Sequence, residues 1–330
     1  MRLVIDGRPL VGNRTGIGVH TAELARRLDC VPLIASHAEI VDREGLERCA
    51  FRVDPTALGV LWQQTKLPQI DADVLWGPHG TLPLAWRRPS IVTLHDFTSL
   101  TMPGRHRLKT ILSFNLFIGR SLEQATKIAC VSRAVADEAM RGFGVPASKL
   151  TLVPNGVDPF FSPGGERGDY ILYTGTLEPR KGLDDLLFAW NALGKPRLIL
   201  CGDAGWKTRI PDDAKLEVTG YVTRERLREL YRGARVFVYP SRYEGFGIPP
   251  LEAMACGAPV IATRTGAIPE FAEGAAVLVE PGDRYALKDA LARVLADGEE
   301  LRAQGPERAK MWGWERGARV MNELLRDACG

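Results

Sequence analysis

Glu244 and Glu252 stand eight positions apart, with Gly245-Phe246-Gly247 and two prolines, Pro249 and Pro250, between them. Carboxylates accept hydrogen bonds from hydroxyl groups. A helix start beside them adds unpaired N–H groups and the positive end of the helix dipole, both of which favour phosphate. Prolines suit a first helical turn, where no N–H is required. The spacing predicts Glu244 on a strand-to-helix loop and Glu252 in the first turn of the helix, both facing one mouth. A ligand that is hydroxyl-rich and phosphorylated fits such a mouth. Each residue alone is ordinary, since acids are common in first turns and glycine is common beside an acid in loops. Their conjunction carries the prediction.

Arg180 and Lys181, in T-G-T-L-E-P-R-K-G-L (Thr174–Leu183), sit at a second loop-to-helix junction and suit a diphosphate, Arg as a fork and Lys as a point charge. The same pair also reads as two solvated cations. No Walker A pattern occurs. In the amino-terminal half, N-R-T-G-I-G-V-H (Asn13–His20) opens a helix with a glycine pair, Gly16 and Gly18, that admits close approach of backbone to a ligand. A dinucleotide fingerprint needs a third glycine and an acid ending the second strand. Val19, Ser36 and His37 occupy those places, which disfavours NAD. His95, in L-H-D, ends a strand, where a structural and a catalytic histidine read alike. Asp71-Ala72-Asp73 has the letters of a metal-binding motif but directly precedes a strand, so the reading is a solvated turn and no metal is expected. The stretch Arg105–Arg120 joins basic residues to a broad apolar set. It reads as a core-facing helix with a charged end, or as one resting on an anionic membrane surface.

The elements that position these residues follow an alternating pattern of short apolar runs and helical periods, the signature of parallel α/β architecture. Strands are predicted at Arg2–Ile5, Val31–Ala35, Val74–Trp76, Ile91–Leu94 and Lys127–Val131, and helices at His20–Leu28 and Arg105–Leu122. Val153–Gly168, rich in Pro, Gly and Asn, reads as a connection. The pattern then restarts. Strands are expected at Tyr170–Tyr173, Arg197–Cys201, near Glu217–Val218, at Arg235–Ser241 and at Pro259–Ala262, and helices at Gly182–Asn191, Arg224–Arg232 and roughly Trp314–Ala328. Two nucleotide-fold-like domains facing a deep cleft are the natural assembly for 330 residues.

The net charge of +3 gives a nucleic-acid role no support, and no run of about 18 apolar residues exists to span a membrane. Asp6 arrives too early for the apolar core of a signal peptide. The six cysteines are scattered without a C-x-x-C pair, as expected of idle thiols in a reducing cytoplasm.

Together these motifs resemble the retaining glycosyltransferases of family 4, which have the GT-B fold, and look most like their mannosyltransferase-type members. The segment from Glu244 to Glu252 resembles the E-x(7)-E signature. V-S-R-A-V (Val131–Val135), V-P-N-G-V-D (Val153–Asp158), L-E-P-R-K-G (Leu177–Gly182), G-Y-V-T (Gly220–Thr223) and W-G-W-E-R-G-A (Trp312–Ala318) resemble further landmarks in the expected order. The resemblance covers nearly the whole chain. It implies an acceptor-side domain over 1–160, a donor domain over 161–312, and a last helix over 313–330 that returns to the first domain.

It also implies roles. Glu252 binds the donor's ribose, and Glu244 the sugar hydroxyls. Phe246 and Gly247 offer N–H groups near the phosphate, with Gly245 and Ile248 beside them. Arg180 and Lys181 hold the diphosphate, the Gly16 and Gly18 loop closes on the donor, His95 sits beside the transferred sugar, and the backbone at Val222 meets the base. Thr176 completes the donor set but stands where many members carry Arg, which shifts leaving-group charge to Arg180 and Lys181. The implied activity is metal-independent and retaining. A hexose moves from a nucleotide-diphosphate sugar, GDP-mannose ahead of UDP-sugars, to a glycan or lipid-linked acceptor, in the cytoplasm or at the inner membrane face. The alternatives are a nucleotide-sugar epimerase or phosphorylase, or a silent sugar-nucleotide-binding subunit.

Overall fold

The computed structural model describes the chain except residues 13, 15, 99–107, 204–208 and 330, with backbone alone over 108–115. It divides into two units, Met1–Asn155 with Trp314–Gly330, and Gly156–Gly313.

The first unit is a seven-stranded sheet in the order β3-β2-β1-β4-β5-β6-β7, with every neighbouring pair parallel. Its strands are β1 (Leu3–Asp6), β2 (Leu33–Ser36), β3 (Ala50–Val53), β4 (Val74–Gly77), β5 (Ser90–Leu94), β6 (Lys127–Cys130) and β7 (Leu150–Leu152). The central strands are buried along their whole length, as parallel strands covered on both faces require. Helices α1 (Gly16–Ala25), α2 (Gly59–Thr65), α3 (Leu108–Gln124) and α4 (Arg133–Phe143) connect them. Ser132 caps α4 by accepting from the Val135 N–H, and Gly144 ends it in the left-handed conformation. The start of the expected Arg105 helix lies outside the described residues.

The second unit repeats the plan with six parallel strands in the order β10-β9-β8-β11-β12-β13. These are β8 (Ile171–Thr174), β9 (Leu198–Cys201), β10 (Leu216–Gly220), β11 (Val236–Tyr239), β12 (Val260–Thr263) and β13 (Val277–Val279). Its helices are α5 (Leu183–Ala192), α6 (Arg224–Gly233), α7 (Ile248–Ala255), α8 (Ile268–Ala272), α9 (Arg284–Ala296) and α10 (Glu299–Ala309). Trp190 and Leu186 of α5 join Leu287 and Leu291 of α9 over Tyr173, Leu200 and Val238 to make the core. In both sheets the strand order reverses beside the first strand, β1 or β8. Open α/β sheets bind ligands beyond the carboxyl ends of their strands at that point.

The last helix, α11 (Trp314–Cys329), belongs to the first unit and packs on α1 and β4 to β6. Trp314, Met321 and Leu325 are among its buried residues, and a Cβ at Gly317 would come within 2.4 Å of the Pro154 carbonyl oxygen. Glycine is therefore needed there for the approach. All six cysteines are free thiols. Among the described residues no helix is long and apolar enough to cross a membrane.

Candidate active site

Strand β11 is a fully buried V-F-V-Y run that stops at Pro240, and the chain turns through residues 240–247 into α7. Gly247 forms the helix N-cap with φ of 89°, and a Cβ there would meet Ile268 Cγ1 at 2.9 Å. Only glycine satisfies both constraints. Pro249 and Pro250 occupy the first turn and carry no N–H, so Ile248 is the one donor of its first three positions. Phe246 is buried against Phe271 and Trp312, with ring centroids 5.4 and 6.1 Å away. The helix begins one residue before the prolines, which puts Glu252 in its second turn. The first turn holds no acid, contrary to the expectation from spacing.

Glu244 lies at the centre of a charged cluster. Lys181 Nζ donates to Glu244 Oε1 at 2.6 Å and to the Tyr239 hydroxyl at 2.9 Å, and that hydroxyl donates to the same carboxylate oxygen at 2.9 Å. Arg180 reaches Glu244 at 3.9 Å, donates to the Tyr243 carbonyl at 3.1 Å and pairs with Glu178 at 2.7 Å. Burial pushes the Glu244 carboxyl up, but Lys181 and Arg180 outweigh it and hold the group below its ordinary range. The two loops are laced together. The Arg242 N–H donates to the Arg180 carbonyl at 2.9 Å, and the Arg242 guanidinium grips buried Asp185 of α5 at 2.9 Å. Gly182, with φ of 69°, permits this closeness, since a Cβ there would fall 1.9 Å from the Pro240 carbonyl oxygen.

Glu252 has a different setting. The Tyr231 hydroxyl, from α6, donates to it at 3.1 Å, and the same hydroxyl pairs with Thr174 Oγ1, at the end of β8, at 3.2 Å. Burial pushes this carboxyl up to about 7, against the pull of the Tyr231 hydrogen bond and the Arg224 charge. Thr176 follows β8, and its carbonyl accepts from the Tyr173 hydroxyl at 3.1 Å. Val222 follows β10, just before Thr223, which caps α6 by accepting from the Arg226 N–H. Thr176, Val222 and Glu244 thus all follow the carboxyl ends of strands in one sheet.

In the first unit, Gly16 is the first residue of α1, with open space where a Cβ would stand. A Cβ at Gly18 would lie 2.6 Å from the Pro9 carbonyl oxygen. His95 follows β5 and donates from Nε2 to the Pro78 carbonyl at 2.9 Å, and burial lowers its pKa to about 4. It is therefore neutral near pH 7, with Nδ1 left as an acceptor. Asp71 and Asp73 are both engaged by Arg2, whose backbone N–H donates to Asp73 at 2.7 Å.

Residues 168–297 match the profile of the group 1 glycosyl transferases, and residues 37–160 that of glycosyltransferase family 4. O-antigen chain mannosyltransferase B of Escherichia coli is 32% identical, over 96% of this chain and 97% of its own. The chain belongs to the family 4 glycosyltransferases. O-antigen chain mannosyltransferase RfbU of Salmonella typhimurium is 28% identical over 66% of this chain and 63% of its own. The Anabaena protein HepE, solved in complex with UDP-glucose, superposes with a TM-score of 0.79 at 19% identity, covering 98% and 99% of the two chains. Sucrose-phosphate synthase of Thermosynechococcus elongatus gives 0.77 at 20% identity, covering 99% of each. The fold is GT-B.

In this family 4 glycosyltransferase the residues expected from the second unit fall into two groups, Arg180, Lys181 and Glu244 in one and Glu252 in the other. Gly245, Phe246, Gly247 and Ile248 run between them. Sequence reasoning missed Tyr231, Tyr239, Thr174 and His20. The tyrosines had a faint signal, because a buried phenol seeks a polar partner.

Proposed function

We propose that this glycosyltransferase moves a mannosyl residue from GDP-mannose to a glycan or lipid-linked acceptor, with retention of configuration and without a metal ion. One observation carries the reading. Glu244 is paired with two cations, Lys181 and Arg180, on the loop that leads from a strand end of the second unit into the helix carrying Glu252, in a chain 32% identical to an E. coli O-antigen mannosyltransferase along nearly its whole length.

In this proposal Glu252 accepts hydrogen bonds from the ribose, the Phe246, Gly247 and Ile248 N–H groups face the phosphate, and the backbone at Val222 meets the base. Thr176 and Gly245 complete the donor contacts. Lys181 and Arg180 stabilise the negative charge that develops on the departing diphosphate, the work of preorganised cations. Glu244, held ionised by Lys181, orients the sugar hydroxyls. From the first unit, Gly16 and Gly18 close on the donor, and His95 accepts a hydrogen bond from the sugar through Nδ1.

Retention by double displacement needs a carboxylate free to attack. Glu244 is tied into hydrogen bonds with Lys181 and Tyr239, so the favoured route is attack on the face the leaving group departs from. The departing phosphate accepts the acceptor's proton, the new glycosidic bond forms as the sugar–phosphate bond breaks, and no covalent sugar–enzyme bond arises. The proposed place of action is the cytoplasm or the inner membrane face, and the product is a polysaccharide precursor of the O-antigen type.

A UDP-sugar donor is the second reading, favoured by the likeness to HepE in complex with UDP-glucose. A thermal-shift panel of GDP, UDP, ADP and their sugars separates the two, because a ligand stabilises the state that binds it. The largest shift is expected with GDP and GDP-mannose. A larger shift with UDP-glucose would replace the donor.

A further inference from the structure

His20 sits on α1, fully buried, with ring centroids 6.0 Å from Trp76, 4.7 Å from His95 and 6.2 Å from Trp314. Its Nδ1–H donates to the Asn155 side-chain carbonyl at 2.7 Å. The other nitrogen, Nε2, is buried and has no hydrogen-bond partner among the described residues. Burying a polar nitrogen unpaired costs stability, and a phenyl ring in much the same space would escape that cost while leaving the Asn155 carbonyl without its donor. The bond to Asn155 uses one ring nitrogen and leaves the other unsatisfied, and a buried unsatisfied group calls for another explanation.

The neighbouring ring supplies one. His20 and His95 cross at 88°, edge against face, at the shortest ring distance His20 makes. Among the described residues His95 makes one side-chain hydrogen bond, from its Nε2 to the Pro78 carbonyl. The covalent bond to Cβ and one hydrogen bond at Nε2 still let the ring plane rock about the line between those two points. A second ring packed perpendicular to it removes that freedom. His20 can serve as that stop because Asn155, itself buried, fixes its orientation in turn. Burial keeps both imidazoles neutral, so no charge repulsion separates them.

We propose that His20, clamped by Asn155, is a positioning residue for His95, setting the plane of that ring and the direction of the Nδ1 left to meet the transferred sugar. The proposal rests on the assignment of His95 to the sugar. It places the amide of the V-P-N-G-V-D segment and the helix behind the glycine loop in one mechanical chain that ends at the reacting centre.

The test is a double-mutant cycle in the full-length protein, with His20→Phe and His95→Ala, assayed with GDP-mannose and, in parallel, the donor that shifts melting most. His20→Gln joins the cycle as a second variant, since it keeps a donor for Asn155 and loses the ring. His20→Phe, which exchanges an unpaired Nε2 for an unpaired Asn155 carbonyl, is expected to fold with a melting temperature near the wild-type value and to lose roughly ten- to a hundredfold in kcat, the scale of a misplaced reacting group. The donor KM should stay within about twofold. In the His95→Ala background the same replacement should change kcat by less than about twofold, because residues acting as one unit are not additive. A loss that persists undiminished without His95, or wild-type kcat in folded His20→Phe and His20→Gln, would overturn the proposal. Full activity of His95→Ala would instead overturn the sugar assignment on which it rests.

Discussion

Glu244 and Glu252 belong to one segment of a single strand-loop-helix unit, yet their surroundings are opposite. Glu244 is pressed between a lysine and an arginine and stays ionised. Glu252 meets a tyrosine hydroxyl at the end of a buried chain that runs back to Thr174, and its carboxyl rises to about 7. Environments that push two like groups apart divide the labour between them. The first acid is a fixed negative charge that also orients its cations. The second is a titrating acceptor whose strength depends on pH.

Replacing Lys181 by Ala removes the cation proposed to meet the leaving group and also the ion pair that holds Glu244. We expect kcat to fall on the order of a hundredfold or more, as the loss of a preorganised transition-state donor does. Unchanged kinetics in a steady-state assay would remove the phosphate role and make the pair structural. Replacing Glu252 by Gln strikes the other half. Donor KM should rise roughly tenfold at pH 8 with a smaller change in kcat, the pattern of lost ground-state binding. A collapse of kcat at constant KM would show that the two acids do not divide the work this way.

Stability should follow the same contrast. A carboxyl raised from 4.5 to about 7 binds more protons in the folded state than in the unfolded state across that window. Its contribution is therefore fully present below about 4.5 and is lost as pH rises through 7. Relative to Glu252→Gln, wild type should lose on the order of 3 kcal/mol between those limits, read by denaturant unfolding at a series of pH values. A difference that does not change with pH would mean that Glu252 is solvated. The smallest effect is expected from Tyr231→Phe, which removes the hydrogen bond that pulls Glu252 down. The midpoint of the pH profile should climb by less than about one unit, and a fall would show that the phenol is no donor to the acid.

Much of the fold was legible because buried parallel strands are written as apolar runs, as in Val236–Tyr239 and Ile171–Thr174. The strands that escaped carry weaker signals. Ala50–Val53 is a largely exposed sheet edge, while Leu150–Leu152 and Val277–Val279 have three residues each. Helix α1 begins at Gly16 rather than His20, so the glycine pair lies inside the helix, where Gly18 passes close to the Pro9 carbonyl. At the site, residue types and order were readable from spacing and resemblance, but pairing was not. Glu244 and Lys181 are 63 positions apart, and nothing local says that they share an ion pair. The turn occupied by Glu252 depended on where the helix starts relative to its prolines. His20 left no pattern at all, since its significance lies in two partners that only the folded first unit supplies.

The most direct test of this division is calorimetric titration of GDP-mannose into wild type and Glu252→Gln from pH 6 to pH 8.5. The diphosphate of a nucleotide sugar is esterified at both ends and does not titrate in this range, and His95 is already neutral there. Affinity should strengthen in wild type as pH rises through about 7 and Glu252 ionises to accept the ribose hydroxyls, and it should stay flat in Glu252→Gln. Identical profiles in the two proteins would contradict the account.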